Sequence, residues 1–326
     1  MKDAERVKFI SEKFEIIRAE LGKVVVGQDY VIRQLLTALF ARGHSLIVGV
    51  PGLAKTMMVS SLAETLDLSF SRIQFTPDLM PSDITGTDVI EENLNSGKKK
   101  FRFIKGPVFA NIILADEINR TPPKTQSALL EAMQEHQVTV AGKSYALDHP
   151  FFVIGTQNPI EQEGTYPLPE AQLDRFFFQI NIFYPTEKEE KEIVLRTTSP
   201  ETVKLARVIS GNEITDIQEF VRKIPVASST LEYAVKLVKM TRHPGGDPEI
   251  VKWLSWGAGP RASQALVLAG KINAALDGRF SVLKEDINAV AYPVLRHRLI
   301  VNFSAEAEGV ATDDIIKKML KQAMAE

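Results

Sequence analysis

Short apolar runs alternate with amphipathic stretches through the first half of the chain. The apolar runs are typical of strands buried on both faces of a sheet, and they lie at 46–48, 69–75, 111–115, 151–154 and 176–182. Before and between these runs, apolar residues recur with helical spacing, at 7–21, 30–40, 56–66 and 124–135. Such alternation predicts an α/β fold.

Two segments depart from this alternation, and the pattern changes again after Pro185. We predict two β-hairpins. The first has strands at 86–91 and 100–105 joined by 93–97, and the second covers 138–147 with Ala141-Gly142 at its turn. The basic run Lys98–Lys100 beside the first turn is interpreted as a solvated face. Beyond Pro185, helical patterns occur at about 187–199, 213–222, 228–241, 247–256, 261–277 and 284–298. We therefore predict an α/β domain over 1–185 and a helical domain over 186–326.

Composition narrows the possible functions. The chain has 39 basic and 41 acidic residues and no cysteine, which excludes disulfides, thiolate zinc sites and a cysteine nucleophile. Its five histidines show no metal-binding spacing. The balanced charge gives no support for nucleic-acid binding. Residues 1–20 lack the apolar centre of a signal peptide, and no apolar run approaches the ~20 residues that span a bilayer. We expect a cytoplasmic protein without membrane insertion.

The strongest chemical signal is the segment Gly49–Thr56, Gly-Val-Pro-Gly-Leu-Ala-Lys-Thr, directly after the first apolar run. It matches a phosphate-binding loop, in which backbone N–H groups and the next helix's N-terminus bind phosphate oxygens. Gly49 and Gly52 would supply backbone freedom, Lys55 would reach the outer phosphates, and the Thr56 hydroxyl would hold Mg²⁺. Ala54 replaces the usual second glycine, which costs little if this position has ordinary helical dihedral angles. The alternative is a glycine-rich turn without a ligand.

Polar residues also follow two later apolar runs. Asp116 and Glu117 end the run that begins at Asn111, as expected for an Mg²⁺ ligand followed by a carboxylate that polarises the attacking water. Two acids could instead cap the next helix. Asn158 follows the run at 151–154, where an amide could bind the γ-phosphate or its attacking water. Asn158-Pro159 alone would be an ordinary turn.

Two arginines stand at element boundaries. Arg175 follows a short helical segment and immediately precedes the apolar run at 176–182. It could pair with Asp174 or Glu170, or it could reach a neighbouring subunit's nucleotide as an arginine finger. Arg261 lies in the first turn of a predicted helix, where its charge opposes the helix dipole. This placement favours an anionic partner for Arg261.

Taken together and in this order, the motifs resemble those of AAA+ ATPases, and more narrowly the MoxR family. The resemblance rests on Gly49–Thr56, Ala-Asp-Glu-Ile-Asn-Arg at 115–120, Gly-Thr-Gln-Asn-Pro at 155–159, Leu-Pro-Glu-Ala-Gln-Leu-Asp-Arg-Phe at 168–176 and Gly259–Ala262. It implies a parallel five-stranded sheet sandwiched by helices, with the hairpins at 86–105 and 138–147 as inserts and a helical lid domain after it. In that family alanine is usual at position 54.

The resemblance also implies a role for each candidate residue. The ATP-binding residues would be Gly49, Pro51, Gly52, Leu53, Ala54, Lys55 and Thr56. Thr56 and Asp116 would hold Mg²⁺, Glu117 would be catalytic, and Asn158 would be sensor 1. Arg175 would be the arginine finger and Arg261 would be sensor 2.

The function implied is an ATP-hydrolysing homo-oligomeric ring, a hexamer being favoured. It would act as a chaperone-like remodeller or activator of a protein client, including clients with a von Willebrand factor A domain, and could assist metal or cofactor insertion. The alternatives are a nucleic-acid motor or loader, a magnesium-chelatase-like motor subunit, and a nucleotide-gated switch with negligible turnover. The near-neutral charge weighs against nucleic acid, and Glu117 weighs against a pure switch.

Overall fold

A computed structural model describes residues 2–92, 99–161, 163–200 and 203–325. The strands are β1 (Ser45–Val48), β2 (Phe70–Gln74), β3 (Gly86–Glu92), β4 (Lys99–Lys105), β5 (Ile112–Asp116), β6 (Gln137–Val140), β7 (Lys143–Ala146), β8 (Phe152–Gln157), β9 (Phe178–Asn181), β10 (Leu254–Trp256) and β11 (Ile300–Val301). The helices are α1 (Asp3–Leu21), α2 (Asp29–Phe40), α3 (Lys55–Thr65), α4 (Pro81–Thr85), α5 (Pro123–Glu135), α6 (Glu170–Leu173), α7 (Glu187–Thr197), α8 (Gly211–Val221), α9 (Ser228–Lys239), α10 (Pro248–Val251), α11 (Pro260–Leu276), α12 (Lys284–Leu295), α13 (Phe303–Ala307) and α14 (Thr312–Ala325).

The five apolar runs of the first half form one sheet in the order β2-β5-β8-β1-β9. Every neighbouring pair is parallel. Strands β5 and β8 are almost wholly buried, as expected when helices cover both faces. The predicted α/β fold with a parallel five-stranded sheet is confirmed.

Both predicted hairpins form, and their aromatic side chains join them. Strands β3 and β4 pair antiparallel, as do β6 and β7. The Phe103 ring stacks on the Tyr145 ring with centroids 4.1 Å apart. The turn at 93–97 and Lys98 lie outside the described residues. The two inserts therefore contact each other instead of projecting separately.

The helical half differs from prediction in two places. The predicted helix over 247–256 is wrong, because α10 ends at Val251 and β10 pairs antiparallel with β11. A strand also accounts for the apolar positions there, and Gly257 lies so close to the backbone of Thr241 that an added Cβ would be 1.9 Å from its carbonyl oxygen. Helices α13 and α14 follow the last predicted helix and were not predicted.

One apolar cluster extends across both predicted domains. Helix α1 packs against both α3 beside the sheet and α11 of the helical half, and Phe14, Ile47 and Leu266 belong to the same cluster. The last strand of the sheet ends at Asn181 and α7 begins at Glu187, so the boundary at 185–186 stays a prediction. Among the described residues, no helix is long and apolar enough to cross a membrane.

Candidate nucleotide-binding site

Most of the predicted site residues follow strands at one edge of the sheet. In register, Val48 of β1 pairs with Gln157 of β8, and Asp116 ends the parallel strand β5 on the other side of β8. The phosphate loop, the two acids and Asn158 therefore all lie at the end of the sheet where strands finish, which we call the carboxyl edge. Ligands of open α/β sheets bind at this edge.

The phosphate loop needs each of its small residues for a different reason. Gly52 has φ +83° with open space around it, so it supplies the predicted backbone freedom. Gly49 instead gives space, because a Cβ there would be 2.9 Å from the Ile182 carbonyl oxygen. Ala54 does not have the helical angles under which an alanine would cost little, because its φ is 53° and its ψ is 26°. The loop must turn sharply into α3, and this left-handed conformation strains a residue with a Cβ.

Lys55 and Thr56 open helix α3, where the helix dipole attracts anions. The Lys55 amine is half-buried and donates to the Gly49 carbonyl oxygen. Burial lowers the pKa of this amine, while Asp116 and Glu117 raise it. An open loop of backbone N–H groups with a lysine inside fits a nucleotide phosphate. The Thr56 hydroxyl and the Asp116 carboxylate offer the oxygen ligands that Mg²⁺ prefers.

Asp116 is held from both of its neighbouring strands. Its Oδ1 accepts a hydrogen bond from the Thr156 hydroxyl at 2.7 Å, and its Oδ2 accepts from Arg72 at 2.6 Å. The Thr156 hydroxyl in turn accepts from the backbone N–H of Glu117 at 2.9 Å. The first acid is therefore fixed in orientation before any metal binds.

Glu117 does not cap a helix in the usual extended conformation. Its φ of 55° places it in the left-handed region, at the start of the short 3₁₀ helix Ile118–Arg120. Its Oε2 accepts from Gln74 at 3.1 Å and from Arg120 at 3.0 Å. The hydrogen bond to Glu117, and after it the charge of Glu117, raises the pKa of the exposed Arg120 guanidinium. The Gln74 and Arg120 side chains therefore hold the Glu117 carboxylate near the phosphate loop, and both could move away from it.

Sequence reasoning missed the residues that hold these acids. Arg72 and Gln74 are two residues apart on β2, so they share one face of the strand beside β5. The alternation of polar and apolar residues along β2 was the sequence signal that could have identified them. Arg120 lies within the 115–120 motif but was given no role, although its spacing of three residues from Glu117 was the available signal for a local ion pair.

Asn158 is buried directly after β8. Its Oδ1 accepts from the backbone N–H of Ile160 at 3.1 Å. This bond fixes the amide group, and its NH₂ has no acceptor among the described residues. The amide is free to donate to a phosphate oxygen or to a water molecule.

Arg175 lies at the opposite end of the sheet, which we call the amino edge. It precedes β9, whose first residue Phe178 pairs with Ser45, the first residue of β1. Strand β1 alone separates the two edges by about 10 Å. The exposed Arg175 donates to the Leu130 carbonyl oxygen at 3.2 Å. In the described part of the chain it forms no ion pair with Asp174 or Glu170. The alternative interpretation of Arg175, as a partner of one of these acids, therefore gains no support.

Arg261 also lies at the amino edge. Its guanidinium is 3.5 Å from Asp174 Oδ2, which supplies an anionic partner for this first-turn arginine. Asp174 pairs more closely with Arg298 at 2.8 Å. The structure therefore groups Arg261 with Arg175 and does not bring it to the phosphate loop of its own chain.

These features define a P-loop ATPase fold of the AAA+ class. Residues 44–178 match the model for the ATPase family associated with various cellular activities, and residues 252–319 match the AAA lid domain. A crystal structure of a provisionally assigned ATPase from Cytophaga hutchinsonii superimposes with a TM-score of 0.89 at 46% identity, covering 97% of this chain and 96% of that one.

Two bacterial relatives are similar over most of their length. The chain is 42% identical over 305 residues to a protein named Chaperone MoxR1 from Mycobacterium tuberculosis, covering 93% of this chain and 79% of that protein. It is 31% identical over 300 residues to the protein named MoxR of Methylorubrum extorquens, covering 86% of each. The chain belongs to the MoxR family of AAA+ ATPases.

Proposed function

We propose that this chain hydrolyses ATP at sites shared between copies arranged head to tail in a ring. The observation that best supports this proposal is that the phosphate-binding residues and the candidate arginine finger lie at opposite edges of the sheet. Lys55, Asp116 and Glu117 lie at the carboxyl edge, whereas Arg175 lies at the amino edge. A head-to-tail contact between two copies brings opposite surfaces together, so each Arg175 would meet the phosphate loop of its neighbour.

Each residue at the carboxyl edge has a defined task in this proposal. The loop N–H groups and Lys55 bind the phosphates, and Thr56 and Asp116 hold Mg²⁺, which neutralises charge on the phosphate oxygens when bound. Glu117 accepts the proton of the attacking water once it leaves Arg120 and Gln74. Asn158 orients that water or the γ-phosphate. Arg175 and Arg261 stabilise charge on the neighbour's nucleotide.

We further propose that hydrolysis drives the remodelling of a protein client, with residues 186–326 moving as a lid relative to 1–185. A relative that carries the name chaperone supports this class of function. The joined hairpins expose apolar side chains, including Ile90 and Phe101, that could contact a client. Clients with a von Willebrand factor A domain, and metal or cofactor insertion, are the finer expectations from the family resemblance.

The test measures ATP hydrolysis per chain over a range of protein concentrations, with oligomer size followed by sedimentation. Shared sites predict that activity rises steeply where the ring forms. Activity per chain that is constant from monomer to ring would contradict the shared site. For the client, Glu117→Gln chains with ATP should retain a bound protein that Lys55→Ala chains do not retain. Equal retention by both variants would argue against nucleotide-dependent remodelling.

A further inference from the structure

A cavity at the amino edge carries a large excess of positive charge. Its volume is about 780 Å³ and it lies between the sheet and α11. We call it the basic cavity, after the six basic residues that line it: Arg42, Arg175, Arg222, Arg261, Lys271 and Arg298. Asp174 is its one acidic lining residue in the described part of the chain.

Half of these charges have no counter-ion. Asp174 pairs with Arg298 and Arg261, and Arg42 pairs with Glu219 at 3.5 Å. Across the described ranges, Arg175, Arg222 and Lys271 have no ion-pair partner.

Two of the unpaired cations are next to each other. The Lys271 amine donates to the Arg222 backbone carbonyl oxygen at 2.8 Å. Burial lowers the pKa of this amine, and the charge of Arg222 lowers it further. Uncompensated cations held together favour the binding of an anionic group.

Helix α7, which follows β9 at the carboxyl edge, carries two glutamates and one lysine on one face. Helix α7 has no buried residue and is tied to the body by Arg196, which donates to the Gly22 and Lys23 carbonyl oxygens. Its outward face is a shallow groove lined by Glu187, Glu190, Lys191, Val194 and Leu195, which are spaced as one stripe of a helix. Val194 is 54% exposed and Leu195 is 73% exposed.

The two surfaces match in chemistry. The α7 face offers two acids in its first turn, of which Glu187 also pairs with Lys191 at 2.6 Å, and apolar side chains one to two turns later. The basic cavity offers Arg222 and Lys271 together with apolar lining residues, among them Leu231, which is 48% exposed, and Leu268. Charge complementarity of this kind sets the register of an interface.

The two surfaces also match in position. Ile182 touches Gly49 of the phosphate loop, and α7 begins five residues later, so its first turn lies within about 18 Å of that loop. In α11, Lys271 is ten residues beyond Arg261, which is about 15 Å along the helix. These distances allow a contact that brings Arg175 and Arg261 to a neighbour's phosphates to bring Lys271 close to the neighbour's α7 as well.

We propose that the α7 face of one copy docks in the basic cavity of the next copy, with Glu187 and Glu190 against Arg222 and Lys271, and with Leu195 against Leu231. The proposal rests on the head-to-tail ring proposed above and names the contact that sets its register. The docked acids would neutralise cations that have no ion-pair partner among the described residues.

The first test is charge reversal, with oligomer size measured by sedimentation velocity in the presence of ATP and Mg²⁺. Lys271→Glu and Glu190→Lys should each raise the concentration of half-assembly about tenfold or more. The double variant should restore assembly, because the charges are exchanged across the interface. The control is Lys239→Glu, an exposed lysine on α9 outside the basic cavity, which should assemble as wild type does.

The second test uses the absence of cysteine from the chain. Chains with Leu195→Cys are mixed with chains with Leu231→Cys and oxidised, so any mixed disulfide must join two copies. A covalent dimer should form in the mixture with ATP, and a mixture of Leu195→Cys with Met80→Cys should form much less.

The outcomes separate the two proposals. A wild-type chain that stays monomeric with ATP would contradict the ring itself. A wild-type ring in which Lys271→Glu assembles like the Lys239→Glu control, or in which the cysteine pair does not cross-link, would overturn the docking and assign the basic cavity to another anionic ligand.

Discussion

Arg298 donates a hydrogen bond from Nε to Oδ1 of Asp174 at 2.8 Å. The Arg298 side chain is 4% exposed, and it also donates to the Phe176 carbonyl oxygen at 2.7 Å. An arginine of the helical half therefore fixes the segment that leads into β9. Because Asp174 is already paired with Arg298, the adjacent Arg175 has no ion pair with it in the described part of the chain.

The buried pair predicts a difference in stability between two arginines. Arg298→Met should lower the free energy of unfolding by about 3 kcal/mol, because it removes the closer ion-pair partner of the Asp174 carboxylate and a buried donor to four backbone carbonyls, those of Asp174, Phe176, Phe177 and Val294. Arg261→Met should lower it by less than ~1 kcal/mol, because that pair is longer and more exposed. Urea denaturation of both variants without nucleotide measures this difference. Equal losses would contradict the assignment of Arg298 as the residue that holds Asp174.

The phosphate loop and the second acid predict two separable defects. Lys55→Ala should abolish ATP binding or turnover, because it removes the cation within the loop. Glu117→Gln should keep binding and lose hydrolysis, because the amide keeps the shape but cannot accept a proton from water. Nucleotide titration and steady-state ATPase assays measure the two steps. A Glu117→Gln chain as active as wild type would rule out its catalytic role.

The left-handed conformation of Ala54 predicts an unequal response to two substitutions. Ala54→Gly should change the free energy of unfolding by less than about 1 kcal/mol, because relief of strain offsets the greater entropy of the unfolded chain. Ala54→Val should destabilise the loop and weaken ADP binding, because a β-branched residue tolerates this conformation poorly. Thermal unfolding and ADP titration test this pair, and equal ADP affinity in both variants would show that the loop angle does not matter.

The sheet was predictable because its strands carry their own signals. The runs at β5 and β8 are apolar on both faces, which only a doubly covered sheet explains. The strand β10 was not predictable, because its pairing with β11 joins residues more than forty positions apart. Local spacing contains no information on such a partner.

At the site, the residue types and their common edge of the sheet were predictable, and the long-range contacts were not. The motifs correctly brought Lys55, Asp116 and Asn158 to one edge, because parallel strands share their direction. The contact of Arg261 with Asp174 joins residues 87 positions apart and depends on how the helical half folds back onto the sheet. The position of Arg261 in the chain does not determine such a tertiary contact, whereas the contact of Arg120 with Glu117 is local, between residues three apart.

The position of Arg261 predicts that it acts on a neighbour's nucleotide. Arg261→Ala chains should lose most ATPase activity in a pure ring and regain part of it when mixed with Lys55→Ala chains. Recovery arises because some interfaces then pair an intact arginine with an intact phosphate loop. Steady-state ATPase assays of the mixtures measure this, with co-assembly checked by sedimentation. Absence of recovery in co-assembled rings would mean that Arg261 serves its own chain.

Arg175 allows the sharpest version of this experiment, because its two possible roles, as an arginine finger or as a surface contact, predict very different losses of activity. An arginine finger contributes ~10³–10⁵ in rate, which is about 4–7 kcal/mol of transition-state stabilisation. A surface contact such as that with the Leu130 carbonyl contributes only ~0–1 kcal/mol. Arg175→Ala should therefore leave the free energy of unfolding nearly unchanged while it abolishes measurable hydrolysis.

Mixing then decides where Arg175 acts. Arg175→Ala chains keep the phosphate loop, and Lys55→Ala chains keep the arginine, so neither should hydrolyse ATP alone. Mixed rings should regain activity in proportion to the interfaces that join an intact loop to an intact Arg175, with a maximum near equal amounts. A doubly substituted Lys55→Ala, Arg175→Ala chain is the control, because it co-assembles without contributing either half. Activity of Arg175→Ala alone, or no recovery in rings shown to contain both chains, would refute the shared site.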